Sequence, residues 1–351
     1  MRFYDIQITS KDGKLIQPSY FAGVTKSFAT SFVNGQTLTA ALNIELDIPL
    51  ANYAVAQPGA WLRIWGISLA EIYNASKLDK ATIKIYAGMK KGLPLAKPEQ
   101  SQGILVQGQI FQPFGNWIGT DMTLEMTLLP FLGTNPTPSN ISFEWKAKQS
   151  LSDAITSTLN AAFPGFTVKI SISDSLTQAN DQKGYYATLG QFASYILKYT
   201  QSSQFAGIKT LSGSKYTGVN ITVKDKTILV YDGTANYGAA SFDSPKAISF
   251  EDMVGQPTWL NPVVINMKTV MRSDLSVGDY ITLPKTNLSP YVIATQASSI
   301  PNSPTRDKSI FQGKFRITDL HHFGNFRQAS ADSWVTMFNA ISVNPPAVGA
   351  S

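Results

Sequence analysis

The 351-residue sequence contains no cysteine. This absence excludes disulfide bonds, thiolate zinc sites, iron–sulfur clusters and cysteine nucleophiles. Histidine is almost as scarce, since the only two imidazoles belong to the neighbours His321 and His322. Adjacent residues of a strand point to opposite faces, so we expect these two side chains not to share a metal ion. The sequence predicts no metal site, no cofactor and a fold that packing alone stabilises.

Charge is also in short supply. Charged residues make up 15% of the chain and hydrophobic residues 43%, whereas about a quarter of an average domain is charged. A surface that is poor in charge is often covered by neighbouring subunits, which favours a component of a large assembly. The net charge of +6 is spread along the chain, and we interpret its densest group of lysines as a solvated face, not a nucleic-acid site. These lysines are Lys77, Lys80, Lys84, Lys90, Lys91 and Lys97.

Long apolar runs are missing too. No uninterrupted run approaches the ~20 residues that a membrane-crossing helix needs. The N-terminal sequence MRFYDIQITSKDG has no apolar core after a basic start, as a signal peptide would. We therefore expect a soluble protein that is made in the cytosol and does not insert into a membrane.

The sequence has none of the common catalytic motifs. It lacks a GxSxG elbow, a phosphate-binding P-loop, an HExxH helix and a dinucleotide-binding glycine pattern. The neighbours Glu251 and Asp252 are poor candidates for a glycosidase pair, because those carboxylates face each other across a substrate. Adjacent carboxylates more often cap or bridge locally. We expect no catalytic residues and no enzyme activity.

The most informative feature that is present is a pattern that occurs twice. The first copy consists of QGQIF (107–111), FGNW (114–117) and the alternating run DMTLEMTLL (121–129). The second consists of QGKFR (312–316), FGNF (323–326) and DSWVTMFNAI (332–341). Both predict a β-hairpin that turns at Gly-Asn. The second copy is four residues longer between QG and FGN, and an even insertion preserves the two faces of a strand.

The similarity extends upstream of both hairpins. The segment 58–64 (PGAWLRI) matches 277–283 (VGDYITL), and the strand-like 41–50 matches 263–275. The sequence thus predicts two related β units that bracket the chain. The alternative is one continuous β-sandwich whose turns use similar residues.

Between the two β units, the pattern changes to an α+β module. The segments 149–163 and 188–201 have the apolar spacing of amphipathic helices, the first with Ser150 as its cap. Strand-like segments at 166–172 and 221–231 accompany them, the latter as a hairpin turning at Asp225-Lys226. We predict a first β domain at 1–134, an inserted α+β domain at 135–240, a second β domain at 241–345 and a loose tail at 346–351. Pro-rich stretches indicate a linker at 130–140 and exposed loops at 90–103 and 284–311.

Three groups of residues in the C-terminal part stand out: Gly255-Gln256-Pro257, the turn Val277-Gly278-Asp279, and His322-Phe323-Gly324 with Trp334-Val335-Thr336 in the last hairpin. They resemble the baseplate central hub proteins of contractile-tailed bacteriophages, in particular the phage Mu-like hub family. PGAWLRIWGI (58–67) and GILVQGQIF (103–111) are similar to the first barrel of that family. Nothing resembles a fused lysozyme domain.

This resemblance implies a mainly β protein with two tail-tube-like β-barrel domains and a small α+β domain. Such hubs form a homotrimer whose six barrels adapt the six-fold tail tube to the three-fold central spike. The implied partners are the tube protein, the spike protein and other baseplate proteins, with phage DNA passing through the lumen without specific binding. The implied location is the virion tail baseplate, after assembly in the host cytoplasm.

Two alternatives remain open at this stage. One is another ring of the same machinery, either a distal or tube-initiating ring of a different tail type or the hub of a secretion-system spike. The other is a carbohydrate-binding or receptor-binding β protein, in which Trp117 and Trp259 would be exposed aromatic platforms.

Overall fold

A computed structural model describes most of the chain with side chains. The described residues are 1–54, 59–90, 101–130, 140–210, 216–224, 227–234, 244–261, 263–284, 311 and 313–343. The predicted linker, the predicted loops at 90–103 and 284–311, the turn at Asp225-Lys226 and the C-terminal tail lie wholly or mostly outside these residues.

In the described residues, the N-terminal β unit has ten strands and one α-helix. The strands are β1 (Arg2–Thr9), β2 (Leu15–Ile16), β3 (Ala29–Thr30), β4 (Phe32–Val33), β5 (Gln36–Thr37), β6 (Asn43–Leu50), β7 (Ala60–Trp65), β8 (Thr82–Met89), β9 (Gly103–Ile118) and β10 (Asp121–Pro130). The helix α1 (Leu69–Tyr73) begins at Ser68, whose hydroxyl accepts a hydrogen bond from the backbone N–H of Glu71. This is the cap expected of a serine at that position. Asn34 and Gly35 both have positive φ between β4 and β5, as a two-residue hairpin turn requires.

The middle unit combines two helices with two small sheets. Its elements are β11 (Ile141–Trp145), α2 (Leu151–Ala162), β12 (Thr167–Ser171), β13 (Gln182–Tyr186), α3 (Leu189–Thr200), β14 (Asn220–Lys224) and β15 (Thr227–Tyr231). Both helices start at the predicted places, with Ser150 and Thr188 as N-caps. Their apolar sides, which include Ile155 and Phe192, are buried in a core of their own. The predicted hairpin of β14 and β15 is confirmed.

The described part of the C-terminal β unit has six strands. They are β16 (Lys246–Ala247), β17 (Thr258–Asn261), β18 (Val264–Val270), β19 (Tyr280–Thr282), β20 (Lys314–Asn325) and β21 (Trp334–Ser342). The strands β20 and β21 form the predicted second hairpin. Its connection runs from Phe326 to Ser333 and ends in a 3₁₀ turn.

The two β units have the same order of strands. In the N-terminal unit the order is β6, β7, β10, β9, β8, β1, and in the C-terminal unit it is β17, β18, β21, β20, β19, β16. When these strands of each unit are ranked by their position in the chain, both sheets show the same order, so the units correspond strand by strand. They differ at the far edge, where β1 runs antiparallel to β8 but β16 runs parallel to β19.

This correspondence corrects the upstream match that the sequence predicted. The segment 263–275 contains β18, which corresponds to β7 at 60–65 and not to β6 at 43–50. Likewise β19 at 280–282 corresponds to β8. The sequence match was wrong by one strand because Gly-aromatic strand starts recur in β proteins without marking a particular place in the sheet.

The prediction of a turn at Gly-Asn was also wrong. Gly115 and Asn116 lie inside β9, paired with Leu124 and Thr123, and the chain reverses at Gly119-Thr120. In the second copy Gly324 and Asn325 are the last residues of β20. Gly115 occurs within a strand because α1 lies against it, and a Cβ there would meet Ile72 at 2.6 Å.

The described chain is mainly β, as predicted. Fourteen strands of the two β units form one sheet, and three apolar cores lie in the N-terminal, middle and C-terminal parts. The predicted boundaries at 134/135 and 240/241 fall in segments outside the described residues, so they remain predictions.

Candidate assembly interface

The two β units are joined by direct strand pairing. The second half of β20 pairs antiparallel with β6, from Leu320 opposite Leu50 to Asn325 opposite Glu45. His321 bonds to the carboxylate of Asp47 across this junction. The junction therefore continues one sheet from the C-terminal unit into the N-terminal unit.

Side chains of both units reinforce the junction. The guanidinium of Arg2 donates to the carbonyl oxygens of Asn325, Phe326 and Ser330 in the loop that follows β20. Trp334, at the start of β21, is buried in the N-terminal core and donates from Nε1 to the Gly88 carbonyl at 2.9 Å. The end of the second hairpin is thus part of the first unit's core.

A row of polar side chains crosses five strands from the junction. Its members are Asn325 on β20, Glu45 on β6, Arg63 on β7, Glu125 on β10 and Asn116 on β9, and successive members bond at 3.0 to 3.3 Å. The pKa of Arg63 is raised, first by its hydrogen bond to Glu125 and then by the charges of both carboxylates, against the opposing effect of partial burial. The row begins and ends on the two asparagines of the repeated FGN strings.

The distal segment of β9, which we define as Phe111–Ile118, has an open edge. Strand β8 pairs with β9 only as far as Gln109, and β10 occupies the other side. Four large apolar side chains of this segment are exposed, namely Phe111 (43%), Phe114 (48%), Trp117 (63%) and Ile118 (73%). Among the described residues no strand pairs with its outer edge.

The C-terminal unit contains a buried charged cluster. Arg272 is 3% exposed and bonds to Asp252 at 3.2 Å and to Asp274 at 2.7 Å. Burial opposes the charge of Arg272, but the hydrogen bond to Asp274 and the two negative charges outweigh it, so the pKa of Arg272 is raised. The expectation that Glu251 and Asp252 bridge locally does not hold for Asp252, because its partner Arg272 lies 20 residues further along the chain.

The two histidines point to opposite sides of β20, as predicted. His321 is half-buried beside Asp47, whereas His322 is buried and bonds through Nδ1 to the Thr336 hydroxyl at 2.9 Å. Burial, with a smaller effect of the neighbouring His321, lowers the pKa of His322 to about 3. His322 is therefore neutral at physiological pH.

The two tryptophans of the carbohydrate alternative have different surroundings. Trp117 is exposed, and its Nε1 donates to the Gly119 carbonyl. Trp259 stacks on Phe311 at a centroid distance of 5.5 Å and an interplanar angle of 17°. Its ring belongs to the edge of the C-terminal core, so the structure does not bring the two tryptophans together as one platform.

The interpretation of the lysine group as a solvated face holds for some of its members. Lys77 and Lys80 are exposed, whereas Lys90 lies with its Nζ 3.8 Å from the ring centre of Phe32. Lys91 and Lys97 lie outside the described residues.

Sequence reasoning missed the main contributors to the junction. Arg2, Asp47 and Trp334 each bond to a residue more than 240 positions away in the chain, and no local pattern connects these pairs. One signal could have predicted part of the junction. Strand β20 has 12 residues and its neighbour β19 has 3, so most of that edge of β20 needs another strand.

Within the described ranges, no three His, Asp or Glu side chains form a group that could hold a metal ion. In the same part of the chain, every helix is too short or too polar to cross a membrane.

Comparison with known proteins gives matches only among solved structures. No protein-family model and no curated protein matches the sequence. The 43 kDa tail protein of prophage MuSo2 from Shewanella oneidensis is 7% identical, with 97% of each chain covered and a TM-score of 0.48. The c3393 protein of E. coli, a component of the type VI secretion system with similarity to phage T4 tail proteins, is 10% identical, with 89% of this chain and 78% of that chain covered and a TM-score of 0.48.

A tail protein from Neisseria meningitidis MC58 is 9% identical, with 97% of this chain and 96% of that chain covered and a TM-score of 0.44. All three are tail or secretion-system components. Their TM-scores lie below 0.5 and their identities below 25%, a level of similarity that by itself assigns neither fold nor function.

Proposed function

We propose that this protein is a structural subunit of a phage tail baseplate, the hub that connects the tail tube to the central spike. The observation that carries the proposal is the pair of β units with one strand order, joined edge to edge by β20 and β6 within one chain. Three such chains present six similar units. A ring built in this way matches a six-fold tube on one side and a three-fold spike on the other.

The sequence motifs support the same proposal. The strings that resemble hub proteins fall between Gly255, just before β17, and the end of β21, and in β7 and β9, within the two similar units. In the assembled ring each unit would become one segment of a tube-like β-barrel, with strand tilt and stagger set by ring closure. The proposed domains remain 1–134, 135–240 and 241–345.

The proposal assigns a structural role and no catalysis. Its partners are two further copies of the chain, the tube protein, the spike protein and other baseplate proteins. Phage DNA passes through the lumen without specific contacts. The site of action is the virion, after assembly in the host cytoplasm.

The mass of the purified full-length protein in solution tests the proposal. One chain weighs 38.2 kDa, and we expect sedimentation equilibrium to give three times this mass, with ring-shaped particles in electron micrographs. Labelling the chain in isolated tail particles should place it between tube and spike. A two-fold dimer, or a label at the tail fibres or the capsid, would contradict the proposal.

The alternative rings of the same machinery share the observation of two similar units. The presence of a contractile sheath and of a needle-like spike around the labelled chain distinguishes the proposed hub from a distal tail ring. The carbohydrate alternative has only Trp117 as an exposed platform, and glycan-array binding that Trp117→Ala abolishes would favour it over the hub.

A further inference from the structure

We infer that the open edge of β9, at Phe111–Ile118, binds β17 of a second copy of this chain as an antiparallel strand. The inference rests on the proposed function only for the number of copies in the ring. The pairing itself follows from how the two units already meet inside one chain.

The internal junction is a template for the proposed contact. It pairs the long strand of the C-terminal unit, β20, with the outermost strand of the N-terminal unit, β6. The corresponding elements are β9 and β17, because the two units share one strand order. Repeating the same contact between chains therefore joins β9 of one copy to β17 of the next.

The two long strands change neighbours at corresponding points. Strand β19 covers β20 up to Arg316, and the pairing with β6 starts four residues later, at Leu320. Strand β8 covers β9 up to Gln109, and the position four residues later is Pro113, where the outer edge is open. Each long strand also has a register shift in between, near Gln112 and near Thr318. Asn325, the last residue of β20 that pairs with β6, lies five residues after Leu320. Ile118, the last residue of β9, likewise lies five residues after Pro113.

The side chains of the open segment are those of a covered strand. Phe114 and Ile118 lie on the face that carries Arg63, and Trp117 lies on the opposite face, by the alternation of a strand. Large apolar residues exposed on both faces of a long unpaired edge favour pairing with another chain. Pro113 removes one backbone donor at the start of the segment only, so the donors beyond it remain available.

The proposed partner strand has a free outer edge of its own. Among the described residues, strand β17 pairs with β18 only, and Leu260, at the register shift of this pair, is 59% exposed. Its counterpart β6 uses the equivalent edge to bind β20. Apolar Leu260 would meet the apolar side chains of the open segment.

The contact joins two different surfaces and is therefore head-to-tail. Such contacts generate closed rings when the rotation between copies closes. Each chain offers one open long strand and one open edge strand, so every edge of this kind is paired in a ring. This explains why one unit of the chain has an occupied long strand and the other an exposed one.

Engineered cysteines test the inference, because the chain has none of its own. Chains that carry Phe114→Cys or Trp117→Cys, on opposite faces of β9, are each mixed with chains that carry Leu260→Cys and a size tag. Under oxidising conditions we expect a disulfide-linked dimer of one tagged and one untagged chain, stronger for one of the two β9 positions because strand pairing selects one face. Tyr185→Cys, an 83% exposed position in the middle unit, serves as the matched control and should give no such product.

A second pair checks that the reaction reports strand pairing. Asp47→Cys with Phe323→Cys in one chain places two cysteines directly opposite at the internal junction, and we expect an intramolecular link. No mixed dimer above the Tyr185→Cys level at any protein concentration overturns the inference, as do β9 variants that link only to themselves. A trimer without the mixed link would contradict the contact between β9 and β17 but not the proposed hub. A mixed link in a ring of another size would support this contact and contradict the proposed three-chain hub.

Discussion

The two β units of this protein have the same strand order but use their long strands differently. In the C-terminal unit β20 is covered at both ends, by β19 up to Arg316 and by β6 from Leu320, and Trp334 in the same hairpin is 2% exposed. In the N-terminal unit β9 is covered over its first half only, and Trp117 near its end is 63% exposed. The difference teaches that the open edge is not a defect of the fold, since the same fold closes that edge where a neighbouring unit is present.

The largest change in unfolding free energy is expected when the tryptophan of one hairpin is replaced and compared with the tryptophan of the other. Trp334→Ala should lower the free energy of unfolding by about 3–5 kcal/mol, because it leaves a cavity in the N-terminal core and removes the hydrogen bond to the Gly88 carbonyl. Trp117→Ala should change it by less than about 0.5 kcal/mol in the monomer. Urea denaturation followed by fluorescence measures both. Equal effects of the two substitutions would contradict the contrast between a covered and an open hairpin end.

The next test compares the two arginine clusters. Arg272→Met leaves Asp252 buried without its cation, which should cost about 3 kcal/mol of unfolding free energy. The matched change Arg63→Met removes a half-exposed arginine between Glu45 and Glu125 and should cost no more than about 1 kcal/mol. Thermal denaturation at low and high salt measures both, and a larger loss for Arg63→Met would reverse the assignment of the two clusters.

The last test concerns the buried histidine, which has no counterpart in the N-terminal unit. The pKa of His322 is lowered to about 3 in the folded chain and is near 6.5 when unfolded. Between these values the unfolded chain binds one proton more, so His322 lowers the unfolding free energy as the pH falls from about 6.5 towards 3, by about 1.4 kcal/mol per pH unit.

The variant His322→Asn isolates this contribution, since asparagine can still bond to the Thr336 hydroxyl but does not titrate. We expect the slope of unfolding free energy against pH between 6.5 and 4 to be smaller than in the parent by one proton. Identical slopes would show that His322 is accessible to protons in the folded protein.

Local features of the fold were predictable from the sequence. Ser150 begins its helix as its hydroxyl and the following apolar spacing indicate, because a cap acts within four residues. The repeated strings led to two related units for the same reason, since each string covers one hairpin. The placement of the turn at Gly115-Asn116 was wrong because glycine is used there to admit Ile72, a contact from another element.

The sequence by itself determined the elements whose causes lie within a few residues: the helix caps, the alternating strands, the absence of thiol chemistry and the presence of two similar hairpins. Only the tertiary structure decided which strands correspond, that β20 crosses to β6, and that β9 keeps an open edge. Strand pairing depends on backbone hydrogen bonds between segments that lie hundreds of residues apart, and backbone groups are the same in every residue but proline. For that reason the open edge at Phe111–Ile118, which the proposed assembly uses, is visible in the sheet and hidden in the sequence.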